Sequence, residues 1–176
     1  MRRNAVINPV EDTRQSIRRD YTDAIVSRVL GMRQTPEGEA AVIYTFRLPP
    51  TGDDSGSHFI GVTVYRRTSS GGWGQTGGGG AGGSQPPAPE QLLDYFTVAS
   101  TATSTAIYGQ VLSPIVTAVE ADLSNGETVR DEADDQAFAI FSPPGVKVCR
   151  LRALGVNGEV LRENDFTSDE AGDPCQ

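Results

Sequence analysis

At 176 residues, the chain is long enough for one sizeable core or for two small cores that share an interface. Its formal net charge of −8 and apolar content of 37% predict an ordered protein with a soluble surface, and they disfavour general nucleic-acid binding, which needs a positive field. There is no run of eighteen apolar residues, so we expect no membrane span. No apolar segment follows the N-terminal arginines, so we expect no secretory signal in this chain.

The N-terminal signals predict a short helix. Asn8 can cap it, Pro9 suits the first helical position, and Glu11 lies three residues after the cap. Apolar residues then recur at helical spacing on one face, with arginines on the other. We expect this helix to end near residues 20–22.

Three strands are predicted in the rest of residues 1–70. The first covers 23–33, where β-branched residues are frequent; a helix continued to Leu30 is the alternative. Apolar and polar residues alternate over 39–48 and again over 58–67, which is typical of half-buried strands. The N-terminal part should therefore be a helix with a three-stranded meander.

Glycine and proline dominate the middle of the chain. Nine of the thirteen residues in 71–83 are glycine, and a proline-rich run follows at 85–89. Glycine loses the most backbone entropy on folding, and proline lacks an N–H donor. We therefore expect 71–90 to be a loop or linker without helix or strand.

Residues 91–176 carry a denser β pattern. After one helical turn expected at 91–96, six short strands are predicted over 105–112, 115–123, 127–132, 136–142, 146–154 and 159–163. Asn125-Gly126 and Asn157-Gly158 are hairpin signals, for which a type I′ turn is expected. The predicted fold is mainly β: an antiparallel sandwich of about nine short strands with one N-terminal helix and a long Gly/Pro-rich loop. We expect the two β parts to pack as one unit, with flexibly linked domains as the alternative.

Motifs for catalysis are weak. Gly72–Gly77 has the spacing of a dinucleotide fingerprint, but the glycines that follow cannot open the helix that such a site needs. His58 is the only histidine, and no nucleophile elbow accompanies it, so a hydrolase that uses His58 is a minor hypothesis. We expect no catalytic residues, no cofactor and no enzymatic activity.

Acidic residues gather around one predicted hairpin, where a solvated edge is the simplest interpretation and a calcium site is the alternative. The spacing does not fit an EF-hand loop, and we assign no metal ligand. The residues concerned are Glu120, Asp122, Glu127, Asp131, Glu132, Asp134 and Asp135.

The only cysteines are Cys149 and Cys175. One bridge between them would close a loop of about 26 residues and contribute about 3 kcal/mol. Two free thiols are slightly preferred to the bridge.

The order of strand segments in the C-terminal part resembles a known kind of domain. The segments are Ile107–Val111, Ala118–Ala121, Thr128–Glu132, Ala137–Ile140, Val148–Leu154 and Asn157–Leu161. They are similar to the immunoglobulin-like β-sandwich extracytoplasmic domains of membrane-anchored bacterial proteins of unknown activity. The resemblance covers roughly residues 105–165 and implies a periplasmic or cell-surface location, although a cytoplasmic one stays open because this chain shows neither anchor nor signal. It implies no site residues.

These features predict a non-catalytic interaction or accessory module that presents loops to a partner protein, such as a membrane complex, and that binds no nucleic acid. Aromatic residues near the ends of the glycine-rich segment are candidate contacts. N-terminal arginines would add electrostatic attraction. The predicted contact residues are Trp73, Tyr65, Tyr95, Arg2, Arg3, Arg18 and Arg19. A carbohydrate- or calcium-binding sandwich that uses Trp73 and the acidic hairpin is the alternative.

Overall fold

The computed structural model describes residues 8–24, 26–35, 38–50, 56–83, 87–101, 104–166 and 174–175. These residues form one helix and eleven strands, and all of their strand pairs are antiparallel. The chain divides into two compact units, Met1–Pro86 and Pro87–Gln176. The prediction of a mainly β, antiparallel sandwich fold with one N-terminal helix is confirmed.

Helix α1 (Pro9–Asp20) begins as predicted. The side chain of Asn8 accepts hydrogen bonds from the backbone N–H groups of Val10 and Glu11, at 3.1 and 3.4 Å. Acidic residues lie in the first turn and arginines in the last, which complements the helix dipole. Thr13 and Ile17 are buried, so this face of the helix packs inward. Among the described residues, no helix has the length and apolar character needed to cross a bilayer.

The N-terminal unit is a four-stranded meander in the order β1-β2-β3-β4. Its strands are β1 (Val26–Gln34), β2 (Ala40–Arg47), β3 (His58–Arg67) and β4 (Trp73–Gly83). The strand predicted at 23–33, rather than a continued helix, is confirmed by β1. Helix α1 packs against β1 and β2, and a small core forms there from Ala40, Val42 and Tyr65 with Val10 beside them.

Strand β4 corrects the prediction of a loop over the glycine-rich segment. It pairs with β3 from Trp73 opposite Arg67 to Gly83 opposite His58. Glycine costs about 0.5–1 kcal/mol per position in a strand, but it does not forbid extended backbone. Strand β3, which is rich in β-branched residues, supplies a ladder of backbone hydrogen-bond partners, and no proline lies within β4 to interrupt it. A tertiary pairing therefore overrides the local composition.

Four short hairpin loops share one feature, a glycine at positive φ two residues before the second strand begins. These glycines are Gly38, Gly71, Gly126 and Gly158, with φ of 80°, 82°, 85° and 79°. Each glycine N–H bonds to the carbonyl three residues earlier, as in a type I turn followed by a left-handed residue. Hairpins at the two Asn-Gly pairs are confirmed, but the predicted type I′ geometry is wrong because neither Asn125 nor Asn157 has positive φ.

The C-terminal unit is a sandwich of two sheets, β11-β10-β7-β8 and β5-β6-β9. Their strands are β5 (Leu93–Thr101), β6 (Ser104–Val111), β7 (Ala118–Leu123), β8 (Thr128–Glu132), β9 (Ala137–Ser142), β10 (Val148–Leu154) and β11 (Val160–Asp165). The core draws Phe138 and Ile140 from one sheet and Val119 and Leu151 from the other. The helical turn predicted at 91–96 is wrong, since Leu93 begins a strand paired with β6.

Cys149 and Cys175 form a disulfide. It joins β10 to residues 174–175 near the C-terminus. Of the two predicted alternatives, the structure has the bridge rather than two free thiols.

Candidate functional site

A row of aromatic rings lies on the face of the N-terminal sheet that carries α1. Phe46 on β2 and Phe59 on β3 are opposite each other in the strand register and stack with centroids 4.8 Å apart. Tyr21, at the end of α1, lies 4.2 Å from the Phe46 ring. Tyr44, two residues before Phe46, lies 6.3 Å from it on the same face. The helix end and two strands thus build one continuous aromatic wall.

Glycines leave the space that these rings occupy. A Cβ on Gly61 would approach the Tyr44 ring to 2.5 Å, so that ring lies directly over Gly61. A Cβ on Gly82 would overlap the ring of Phe59, which therefore leans onto β4. Neither glycine has positive φ, so each is explained by the close approach of a ring, and at Gly82 also by the His58 carbonyl oxygen, 2.8 Å from the position of a Cβ.

The wall and the glycine strand enclose a groove of about 570 Å³. Its floor includes the backbone of Gly77–Gly80, and Gln75 and Thr63 add an amide and a hydroxyl to the lining. Burial raises the pKa of the Tyr44 phenol above its ordinary value, although a hydrogen bond with the Thr63 side chain opposes this shift. We call this volume the aromatic groove.

A buried hydrogen-bond cluster fixes the helix that carries Tyr21. The Tyr65 hydroxyl lies 2.8 Å from the Thr13 hydroxyl and donates to the Asp12 carboxylate at 3.1 Å. Tyr65 is 0% exposed, and burial raises its pKa to about 12. The assignment of Tyr65 as a partner contact is therefore wrong, because its ring is inside the core and positions α1.

The other predicted contacts are divided between the two units. Trp73 begins β4, is half-buried against the small core, and lies under the guanidinium of Arg67 at 4.0 Å. Arg18 and Arg19 are exposed in the last turn of α1, and Arg19 bonds to Asp20. Arg2 and Arg3 lie outside the described residues.

Tyr95 lies in the C-terminal unit, beside a smaller cavity of about 240 Å³ that Glu90 and Arg162 also line. Its hydroxyl accepts a hydrogen bond from Asn164 at 3.3 Å, and the edge of its ring meets Phe166 at 6.0 Å. It thus belongs to a different unit from Trp73.

Six of the seven acids of the predicted acidic hairpin are engaged in ion pairs or hydrogen bonds. Asp122 and Glu120 pair with Arg152, and Asp122 also accepts from the Thr128 hydroxyl at 2.9 Å. Glu132 pairs with Arg130 at 2.7 Å, and this contact lowers the carboxyl pKa below its usual value. Among the described residues, no cluster of three or more acidic, histidine or cysteine ligands could hold a metal ion. This arrangement gives the calcium alternative no support.

The aromatic groove combines residues that sequence reasoning treated separately. Tyr44, Phe46 and Phe59 were placed in strands, and Tyr21 at a helix end, but none was proposed as a site residue. The available signal was the register of the β2–β3 hairpin, which sets Tyr44 opposite Gly61. His58 begins β3 and pairs with Arg47 in the register, and the dinucleotide-like Gly72–Gly77 segment enters β4 rather than a helix.

Comparison with protein-family models, with curated proteins and with solved structures gives no match to this chain. The function is therefore argued from the geometry of the aromatic groove.

Proposed function

We propose that this chain is a non-catalytic binding module that holds a partner protein in the aromatic groove of its N-terminal unit. The observation that carries this proposal is the stack of rings beside a glycine floor in one volume of about 570 Å³. Tyrosine rings give large, rigid contact area with a polar tip, which is why they are enriched at binding surfaces. The Tyr21 ring is 40% exposed, and so offers such area directly.

We propose that the module works outside the cytoplasm, at a bacterial membrane surface. The disulfide between Cys149 and Cys175 supports this location, because disulfides persist in oxidising compartments. The two-sheet sandwich of the C-terminal unit is compatible with the immunoglobulin-like domains that its strand order resembles. In this proposal the C-terminal sandwich is the structural part and the N-terminal unit binds.

A carbohydrate ligand is the second candidate. Tyr21 and Tyr44 could stack against the apolar face of a sugar ring, while the exposed amide of Gln75 could bond to its hydroxyls. A glycan screen with the full chain separates the two candidates, since a sugar ligand that binds the folded chain would raise the melting temperature once its concentration exceeds its Kd.

The partner-protein proposal is tested by affinity purification of the tagged full chain from its host, with membranes solubilised in mild detergent. Tyr21→Ala removes an exposed groove ring, while Phe166→Ala removes an aromatic side chain of similar exposure, 37%, from the C-terminal unit. We expect one defined protein set with the unaltered chain and with Phe166→Ala, and about fivefold less recovery with Tyr21→Ala. Equal recovery with all three, or recovery of the chain alone, would refute the proposal.

A further inference from the structure

In the part of the chain that the structure describes, strand β4 has one edge without a strand partner. Among the described residues its only strand partner is β3, because β4 is the last strand of the sheet. Its eleven residues extend over about 35 Å at the usual strand rise. Gly78 and the residues from Gly80 to Gly83 are exposed. An edge of this kind offers backbone donors and acceptors to a further strand.

This edge lacks the protection found at the other described sheet edges. Natural sheets block edge pairing with charged side chains, proline or covering groups. Strands β1, β5, β8 and β11 each carry charged residues, and in β9 the backbone N–H of Ala139 donates to the Asp131 carboxylate at 2.7 Å. Strand β4 contains neither charge nor proline. Its sequence does nothing to exclude another strand.

The glycines also determine which side chains an added strand would carry. A strand paired with β4 would lie about 5 Å beyond it. No side chain of Gly78, Gly80 or Gly82 stands between that strand and the aromatic wall, and the ring of Phe59 already leans onto Gly82. Side chains on one face of a strand occur at every second residue. Bulky apolar side chains at alternate positions would therefore cross the glycines and contact the rings.

The charge of the N-terminal unit favours a partner segment that is acidic. The N-terminal unit has ten arginines and no lysine against eight acids, although the whole chain is at −8. Exposed Arg18 precedes Tyr21, which lines the groove, and exposed Arg67 is opposite Trp73 at the start of β4. The neighbouring Arg19 and Arg66 already pair with Asp20 and Glu39. An acidic segment of a partner is complementary to these exposed arginines.

We infer that the free edge of β4 accepts an extended, net-acidic segment of the partner as a fifth strand, with bulky apolar side chains at alternate positions packed against the aromatic wall. This inference rests on the proposed function, whose site it shares. It specifies β-strand addition, in which backbone hydrogen bonds give affinity and alternate side chains give specificity.

The test uses the full chain and a blocked peptide of alternating glutamate and isoleucine. Trp73 is the only tryptophan and begins β4, so its fluorescence reports binding. In an added strand only one set of alternate amides faces β4. Two further peptides therefore remove one set of backbone N–H donors each. One carries N-methyl groups on all isoleucines, and the other carries them on all glutamates.

We expect saturable binding of the parent peptide, with slower amide exchange in β4. One N-methyl peptide should bind about tenfold more weakly or not at all, and the other should bind like the parent. A peptide with lysine in place of glutamate should bind about tenfold more weakly. Tyr21→Ala should weaken binding, and Phe166→Ala should not.

Several results would overturn the inference. They are no binding of the parent peptide, equal binding of the two N-methyl peptides, or protection of β4 that depends on protein concentration alone, which would indicate pairing between two copies of the chain. Each of these leaves the proposed function standing if Tyr21→Ala still loses the partner from the host. Retention of that partner by Tyr21→Ala would instead refute the proposed function.

Discussion

Replacing Tyr65 with phenylalanine should weaken the attachment of α1 to the sheet. The change removes a hydroxyl that lies 2.8 Å from the Thr13 hydroxyl and 3.1 Å from the Asp12 carboxylate. Thr13 is 1% exposed, so its hydroxyl loses a partner that water cannot easily replace. One buried neutral bond and one bond to a partly exposed carboxylate together give a loss of about 2 kcal/mol in the free energy of unfolding.

Urea unfolding followed by Trp73 fluorescence measures this loss in the correct unit, since Trp73 packs against the same core as Tyr65. We expect the midpoint to fall by about 1 M with an unchanged slope. Tyr95→Phe is the matched control, because its hydroxyl has a longer, 3.3 Å bond to Asn164 in the other unit. Unfolding of the control is followed by circular dichroism, which also detects the C-terminal unit. If the urea midpoint falls no further for Tyr65→Phe than for Tyr95→Phe, the reasoning is refuted.

The remaining predictions concern pH, the glycines, the disulfide and a buried ion pair. Burial raises the pKa of Tyr65 to about 12, above the value of about 10 in the unfolded chain. The contribution of the neutral Tyr65 side chain to the free energy of unfolding is therefore complete below pH 10 and is lost as the pH rises toward 12. The alkaline loss of stability should be smaller in Tyr65→Phe. Gly61→Ala should destabilise the N-terminal unit by about 1–3 kcal/mol because its Cβ meets a ring, whereas Gly77→Ala, which has no atom within 4 Å of the new Cβ, should be close to neutral in the same melts. Cys149→Ser should cost about 3 kcal/mol, and a reductant should lower the melting temperature of the unaltered chain but not that of the variant. Arg66→Ala should cost about 1–3 kcal/mol because it leaves the carboxylate of Glu39, which is 1% exposed, without its cation; a smaller loss than that of the exposed pair variant Arg130→Ala would contradict this.

Local sequence signals were sufficient for most of the strands and for the helix. Asn8 and Pro9 define the start of α1 through a hydrogen bond and a fixed φ, and both act within one turn. The alternation over 39–48 and 58–67 predicted β2 and β3 as half-buried strands. The strands are confirmed, but consecutive residues are buried in both, so the expectation of one exposed face is wrong. Composition failed at β4, since the stability of that strand comes from a ladder with β3 rather than from its own residues.

The aromatic groove could not be predicted from the same signals. Its rings come from positions 21, 44, 46 and 59, and its floor from Gly77–Gly80, so it exists only after β4 pairs with β3. Tyr65 illustrates the converse error. An aromatic residue near the end of a strand has the composition of a contact residue, but the helix that buries it is about fifty residues away in sequence.

Photo-crosslinking in the host tests the central claim most directly. A photoreactive phenylalanine analogue would replace Tyr21, which lines the aromatic groove, and in a separate variant would replace Phe166, which lies in the other unit. The account predicts one dominant crosslinked protein from position 21 and none of that product from position 166. The same product from both positions, or no product from position 21 while the chain still co-purifies with a partner, would contradict it.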